Sequence, residues 1–125
     1  MDAALQLIAD TGVALRRELL ERGATDRDIY AGLRRGLLRR VRHGAYTTVE
    51  RWDAADEYSR ARLRCIATAK AMGDRVALTH TSSLVMQNVP VWGADLRKVH
   101  VTRLDGATGR ANAGVVHHEG MLDEA

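Results

Sequence analysis

The segment from Ala24 to Thr48 reads ATDRDIYAGLRRGLLRRVRHGAYTT, and it decides the fold of the first half of this chain. Thr25 is a good helix N-cap, and the residues after it have helical spacing. Two runs of strand length follow, Leu37 to Val41 and Ala45 to Thr48. Five arginines and a histidine fall in the second half of the segment, and no acidic residue follows Asp28. The segment therefore predicts a short helix followed by a basic β-hairpin.

The predicted helix has one apolar side and one basic side. Ile29 lies at the centre of the apolar side, next to Gly32 and Leu33. The basic side is formed by Arg27, Ala31, Arg34 and Arg35, with Tyr30 on its flank. A small residue between arginines lets a helix approach the base edges of the major groove closely. A basic face that is simply solvated is the alternative interpretation, and the adjacent basic hairpin argues against it.

The hairpin is predicted to turn at Arg42-His43-Gly44, because glycine adopts the backbone conformations that tight turns need. Strict alternation along the first strand places Arg40 and Arg42 on one face and Val41 on the other. Arg39 shares the Val41 side in this prediction, at the edge of the domain. Two arginines on one face, with His43 at the tip, suit contact with the sugar-phosphate backbone or the minor groove.

Two further helices are predicted upstream of this segment, from Asp2 to Asp10 and from Leu15 to Arg22. The inward-facing residues of these two helices are expected to be Leu5, Ile8, Ala9, Leu15, Leu19 and Leu20. Three short helices and a basic hairpin are typical of a winged helix-turn-helix, which presents positive charge to a DNA groove. Residues 1–50 are therefore predicted to form a winged helix-turn-helix DNA-binding domain.

The second half of the chain has a different pattern. Trp52 to Met72 has the longest helical spacing, and residues 51–73 are predicted to form one connecting helix. The elements predicted after it are a strand at Val76–Leu78, a helix over Ser82–Asn88 capped by Thr79, a strand at Val99–Thr102, a loop at Asp105–Asn112 and a strand at Gly114–His118. Three strands and one short helix bury little surface, so this α/β segment, residues 74–125, is expected to be incomplete or to pack on the first half or on another protomer. The predicted fold class of the whole chain is α+β.

Composition narrows the class of protein. The net charge of +3 is modest, but the range from Val13 to Tyr46 has nine arginines against four acids. Arginine, which supplies seventeen of the nineteen basic residues, donates two parallel hydrogen bonds to phosphate or guanine.

The single Cys65 excludes an intrachain disulfide and suits a reducing cytoplasm. No segment approaches the roughly 20 apolar residues that span a bilayer, so a membrane is not expected among the partners.

Several short patterns, in their order and spacing, resemble a known family. The patterns are RRELLERG (16–23), LRRGLLRRVRHGAY (33–46), ALTHTSS (77–83), VPVWG (89–93) and VHVT (99–102). Together they resemble AbiEi-type antitoxins of type IV toxin–antitoxin systems, and more closely the actinobacterial transcriptional regulators related to them. The resemblance covers roughly residues 5 to 120. Arg39 departs from the family pattern, because an apolar residue is usual at that place.

The resemblance implies a function for each half of the chain. In the family, the N-terminal winged helix binds operator DNA and represses its own operon. The C-terminal domain supplies antitoxicity or, in some relatives, has a nuclease-like fold. The relatives continue well beyond the last residue of this chain, which places antitoxin action largely outside it.

The residues that could support catalysis or metal binding have simpler interpretations. His117 and His118 are neighbours on a predicted strand and point to opposite faces, so they are not expected to ligate one metal ion. His80, beside Thr79 and Ser82, is interpreted as a buried, hydrogen-bonded histidine in a helix-capping cluster. The residues interpreted as core or interface fillers are Trp52, Trp92, Met72 and Met86. The protein is therefore expected to be non-enzymatic, with no cofactor and no metal.

These observations predict a sequence-specific DNA-binding repressor, whose partner is double-stranded operator DNA and whose target is a toxin–antitoxin-type operon. The residues predicted to contact DNA are Thr25, Arg27, Tyr30, Ala31, Arg34, Arg35, Arg39, Arg40, Arg42 and His43. A single winged helix reads few base pairs, so a homodimer is expected. Two alternatives remain open: an interaction module that neutralises a cognate toxin, and a truncated remnant of a longer regulator.

Overall fold

A computed structural model describes residues 2–89, 91, 93–104, 111–112 and 114–118 of the chain. The structure is of the mixed α+β class, as the residue patterns predict. It divides into an N-terminal unit, Met1–Asp56, and a C-terminal unit, Glu57–Ala125. The predicted core residue Trp92, the residue Pro90 and most of the predicted loop at Asp105–Asn112 lie outside the described residues.

The N-terminal unit has the predicted helices and hairpin and one additional strand. Its elements are α1 (Asp2–Thr11), β1 (Ala14–Leu15), α2 (Arg16–Glu21), α3 (Asp26–Arg34), β2 (Leu38–Arg42), β3 (Ala45–Thr48) and α4 (Val49–Ala54). The three strands form an antiparallel sheet in the order β1-β3-β2. The predicted helix over the α3 residues and the two hairpin strands are confirmed; the second strand has the predicted bounds, and the first is shifted by one residue.

The helices and the hairpin of the N-terminal unit share one apolar core. Its main side chains are Leu7, Ile8, Leu19, Ile29, Leu38 and Tyr46. Gly32 is buried on the inner side of α3, and a Cβ atom there would lie 2.8 Å from Leu38 Cδ1. Glycine therefore permits the close contact of α3 with β2. Ala9, predicted to face inward, is exposed, because the buried stripe of α1 follows Ala4, Leu7 and Ile8 at helical spacing.

The start of α2 differs from the prediction. Leu15 is predicted to lie in the helix, but it lies in β1 and pairs with Ala45 of β3. Its N–H donates a hydrogen bond to the Glu18 carboxylate at 2.9 Å, which satisfies one of the free donors at the start of α2. A strand of two residues has no periodicity, so only its pairing with a distant strand reveals it.

The hairpin contains a β-bulge, which corrects the predicted faces of two arginines. Arg40 pairs with Tyr46 and Arg42 pairs with Ala45, so Val41 is the extra residue on β2. Because neighbouring residues of β3 point to opposite faces, this pairing places Arg40 and Arg42 on opposite faces as well. The prediction that both share one face is therefore wrong.

The single connecting helix predicted for residues 51–73 is also wrong. The structure has α4, which ends at Ala54, and a separate α5 (Glu57–Met72), with Ala55 in an extended conformation between them. The hydroxyl of Thr48 accepts a hydrogen bond from Arg51 N–H at 3.1 Å and caps α4. α4 thus completes the N-terminal unit, with Trp52 buried there. No glycine or proline marks the break, so the helical spacing continues through it.

The C-terminal unit has two helices and a four-stranded sheet among its described residues. After α5, a 3₁₀ turn at Gly73–Arg75 leads to β4 (Val76–Leu78), α6 (His80–Met86), β5 (Val99–Arg103), β6 (Ala111–Asn112) and β7 (Val115–His118). The strand order is β4-β5-β7-β6, and β5 and β7 are parallel. Its core includes Cys65 of α5, Val85 of α6 and Val101 of β5. Within the described residues, no helix has both the length and the apolar character to cross a bilayer.

The start of α6 confirms one prediction, the hydrogen bond of His80, and corrects two, the side-chain cap by Thr79 and the burial of His80. Thr79 lies at the predicted N-cap position, but its side chain does not cap the helix and instead accepts a hydrogen bond from the Thr102 hydroxyl at 3.0 Å. His80 Nδ1 lies 3.0 Å from Thr79 Oγ1, so the predicted hydrogen bond is confirmed. The predicted burial of His80 is wrong, because its side chain stays exposed at the first turn of the helix.

Candidate nucleic-acid interface

The first turn of α3 is held by a reciprocal pair of hydrogen bonds. The Thr25 hydroxyl accepts from Asp28 N–H at 3.1 Å, and the Asp28 carboxylate accepts from Thr25 N–H at 2.9 Å. The predicted N-cap is confirmed, and two donors that a helix start leaves free are satisfied. The hydrogen bond from the Thr25 backbone is the main reason why the pKa of Asp28 lies below its ordinary value.

Arg16 and Asp26 join the starts of α2 and α3. The guanidinium donates from Nε and Nη2 to the two carboxylate oxygens, each at 2.7 Å. These hydrogen bonds lower the pKa of Asp26 and raise the pKa of Arg16. Both side chains are exposed, so the pair adds little stability. Its consequence is electrostatic, because the Arg16 guanidinium balances the negative charge of Asp26 at the start of α3.

Half of the ten residues predicted to contact DNA lie on the outer side of α3 or at its C-cap. Arg27, Arg34 and Arg35 are exposed, Tyr30 is 63% exposed, and Ala31 is half-buried. The Arg34 guanidinium carbon lies 5.7 Å from the centre of the Tyr30 ring, within reach of a cation–π contact. Within the described part of the chain these three arginines form no ion pair. Their hydrogen-bond donors are therefore available to a ligand.

The hairpin presents two of its arginines against aromatic rings. Arg39 is exposed, and its guanidinium carbon lies 4.4 Å from the centre of the buried Trp52 ring. That contact explains how a charged residue occupies a place where an apolar one is expected. Arg40 is exposed too, with its guanidinium 6.0 Å from the Tyr46 ring. Both arginines thus lie near an aromatic ring and remain exposed to solvent.

Arg42 and His43 differ sharply in exposure. Arg42 is half-buried, and its Nη1 atom is buried without a hydrogen-bond partner in the described structure. Burial lowers the pKa of Arg42, although an arginine remains charged in proteins. His43 is exposed beside Gly44, whose φ of 74° makes the tight turn. Arg42 is therefore the hairpin residue least able to reach a ligand, and His43 is accessible.

The structure brings the two predicted groups of basic residues onto adjoining elements. α3 packs directly against β2, which carries Arg39, Arg40 and Arg42. Leu37, between these elements, is exposed and adds an apolar side chain to the same region. Sequence reasoning missed Arg16, whose partner lies ten residues away on another helix. The only signal in the sequence is the occurrence of opposite charges at the starts of two consecutive helices.

Comparison of the chain with protein-family models, with curated proteins and with solved structures gives no match in any of the three. The resemblance to AbiEi-type antitoxins therefore stays a prediction that rests on the residues quoted for it.

Proposed function

We propose that the protein is a non-enzymatic, sequence-specific repressor that binds double-stranded operator DNA through its N-terminal unit. The observation that carries the proposal is the outer face of α3, where three exposed arginines and Tyr30 lie opposite the side that packs on Leu38. The order of elements supports it: a helix, a short strand, two helices and a hairpin follow one another as in a winged helix-turn-helix. In this proposal α3 is the recognition helix and the β2–β3 hairpin is the wing.

In the proposed complex, α3 lies in the major groove. Arg34 is the first candidate for a bidentate contact with guanine, because the Tyr30 ring already restricts where its guanidinium lies. Arg27 and Arg35 flank it on the same face, and the small side chain of Ala31 lets the helix backbone approach the bases. Thr25 sets the start of the helix through its capping hydrogen bonds.

The charges around α3 support an anionic ligand. Asp26 is paired with Arg16, and the carboxylate of Asp28 is directed back to the Thr25 N–H. The acids of the first turn are thus engaged within the protein. The exposed arginines further along the helix keep an uncompensated positive charge, which attracts a phosphate backbone.

The proposed roles in the wing follow exposure. Arg40 and His43 are exposed and are assigned to phosphate contacts. Arg39 is assigned to the same backbone, with Trp52 holding its guanidinium. Arg42 is half-buried, so we assign it a positioning role at the base of the turn.

The target and assembly of the repressor follow from the same proposal. A homodimer is proposed, because one recognition helix reads too few base pairs for selective binding. The resemblance to AbiEi-type regulators makes a toxin–antitoxin-type operon, controlled in the cytoplasm by its own product, the proposed target. A cognate toxin is the second proposed partner.

The test is fluorescence anisotropy of a labelled duplex from the region upstream of the gene, with excess unrelated duplex, at about 0.15 M salt. The wild-type chain is expected to retain the upstream duplex selectively. Arg34→Ala is expected to lose about 5- to 150-fold in affinity, the equivalent of about 1–3 kcal/mol for a bidentate base contact. Arg75→Ala, which removes an exposed arginine of the C-terminal unit, is the control and is expected to bind as wild type. Equal binding of both duplexes would refute sequence-specific repression, and capture of a neighbouring gene product without DNA binding would favour the interaction module.

A further inference from the structure

Three histidines of the C-terminal unit have their rings in contact, and we call them the histidine cluster: His80, His100 and His118. The His80 and His118 rings are stacked, with centroids 3.9 Å apart and an interplanar angle of 18°. The His100 and His118 centroids are 5.3 Å apart, and His100 Nδ1 lies 3.1 Å from His118 Nε2. His80 and His100 are 6.0 Å apart by centroids. Each ring of the cluster is therefore near both of the others.

The register of the parallel strands β5 and β7 brings two of these rings together. His100 pairs with Val116, and Thr102 pairs with His118, so both histidines lie on the same face of the sheet. His117 pairs with Val101, on the apolar face. The prediction that His117 and His118 point to opposite faces is confirmed by this register. Sequence spacing gives no sign that His118 meets His100.

The third ring is placed by an uncommon backbone conformation. His80 has a φ of 54°, which side-chain-bearing residues rarely adopt and which costs free energy. This conformation starts α6 and sets the His80 ring against His118. The structure around α6 therefore holds a strained residue in the position that completes the stack.

The hydrogen bonds of the cluster are satisfied when the rings are neutral. The His100–His118 contact needs one N–H and one free lone pair, so at least one of these two rings must be neutral. Thr102 donates to the Thr79 hydroxyl, whose own hydrogen is then available to His80 Nδ1. The backbone N–H of His100 donates to Ser82 Oγ at 2.7 Å. The network joins β5, β7 and the start of α6.

The charges around the cluster oppose further positive charge. Burial, and then the neighbouring His118, His80 and Lys98, lower the pKa of His100. Burial and His80 lower the pKa of His118. From α5, which packs against α6 and β5, Arg62 and Arg64 donate to backbone carbonyls of Met86 and Leu96, and Cys65 interacts with Ser82. The titratable group on the other face of β7 is His117.

We propose that the histidine cluster is a proton-operated switch, in which neutral rings hold β7 to β5 and to the start of α6, and protonation separates them. The arrangement does not suit a metal ion, because stacked rings do not direct their nitrogens to one point. Within the described residues, no group of three or more histidine, cysteine or acidic side chains is placed to hold one. The inference is independent of the DNA-binding proposal, because it concerns the C-terminal unit alone.

The direction of the pH effect follows from linkage. The unfolded histidines titrate near pH 6.5, and His100 and His118 titrate lower in the folded chain. The stability that neutral rings provide is fully present above about pH 6.5 and is lost as the pH falls from there towards the folded pKa values. Each proton that is taken up on opening favours the open form by about tenfold per pH unit in that window.

The test is hydrogen exchange of the full chain between about pH 7.5 and 5, corrected for intrinsic exchange rates, in peptides that cover β5 and β7. Opening of these strands is expected to increase as the pH falls below about 6.5, by up to tenfold per pH unit for each proton that opening takes up. His118→Gln, which keeps a hydrogen-bonding side chain without a titration, is expected to remove most of the increase. His43→Gln changes an exposed histidine of the N-terminal unit, and this variant is expected to show the same pH-dependent increase in opening as the wild type.

A second measurement needs no variant. NMR titration of the wild-type imidazole protons is expected to give midpoints for His100 and His118 below the ordinary histidine value of about 6.5. Midpoints at or above about 6.5, or exchange of β5 and β7 that does not depend on pH, would overturn the switch. Protection of the same strands by Zn²⁺ at pH 7.5 would overturn it as well, because the cluster would then be a metal site.

Discussion

Arg40→Ala is expected to flatten the salt dependence of DNA binding, whereas Arg42→Ala is expected to leave it unchanged. The guanidinium of Arg40 is exposed and forms no ion pair within the described residues, so it can displace a counterion from a phosphate. The guanidinium of Arg42 is half-buried, with Nη1 enclosed by the protein. A group that cannot reach a phosphate releases no counterion.

The size of the effect follows from counterion release. Each phosphate contact contributes about −0.9 to the slope of log K against log salt concentration, so loss of one contact makes the slope shallower by about 0.9. Between about 0.05 M and 0.2 M salt, the affinity of Arg40→Ala should therefore fall about 3.5-fold less than that of the wild type. Arg42→Ala should follow the wild-type slope, even where its absolute affinity is lower.

The assay is fluorescence anisotropy of the same duplex at four or more salt concentrations, with Arg75→Ala as the control for loss of one positive charge. The result depends on the difference between the salt slopes of Arg40→Ala and Arg42→Ala. Equal flattening by both would show that Arg42 reaches the DNA and that the exposure argument fails. Wild-type slopes for both would remove the hairpin from the DNA-binding surface.

Three further predictions concern the same unit. Arg42→Met keeps the aliphatic stem and removes a buried donor without a partner. Chemical denaturation should therefore show an unfolding free energy that is higher by about 1 kcal/mol. A lower value would mean that Nη1 has a stabilising role. Thr25→Ala removes the hydroxyl that caps α3 and should lower the unfolding free energy by about 1 kcal/mol, with Thr25→Ser as the control that keeps the cap. Asp26→Asn removes a negative charge at the start of α3 and should tighten DNA binding at low salt; weaker binding would show instead that the Arg16–Asp26 pair orients the helix.

The parts of the fold that were predictable are those with local signals. Thr25, the helical spacing after it and Gly44 each act within a few residues, and the structure places a capped helix and a tight turn there. The other elements depend on distant partners. β1 exists because Ala14 and Leu15 pair with Tyr46 and Ala45, thirty or more positions away. The helix break at Ala55 has no local marker either, and it separates α4, where Trp52 is buried, from α5.

The candidate site shows the same division. Helical geometry correctly separates Ile29 and Gly32 from the exposed arginines of α3, because the period of a helix is regular. The period of a strand is equally regular until a bulge adds a residue, and the extra Val41 reverses the face of everything after it. Alternation alone therefore predicts Arg42 on the same face as Arg40, whereas the bulge places it on the opposite face.

A row of arginines in a sequence records charge, and the fold decides how much of that charge a ligand can use. The neighbours of Arg34, Arg39 and Arg40 are aromatic rings, which restrict a guanidinium without neutralising it. Arg16 has a carboxylate as its neighbour, which neutralises it, and Arg42 is half enclosed by the protein. An aromatic neighbour reduces the entropy lost on binding and leaves the charge available, whereas a carboxylate or burial removes the residue from recognition. This difference in neighbours, rather than the number of arginines, is the reason for proposing the outer face of α3 and the exposed part of the hairpin as the DNA-binding surface.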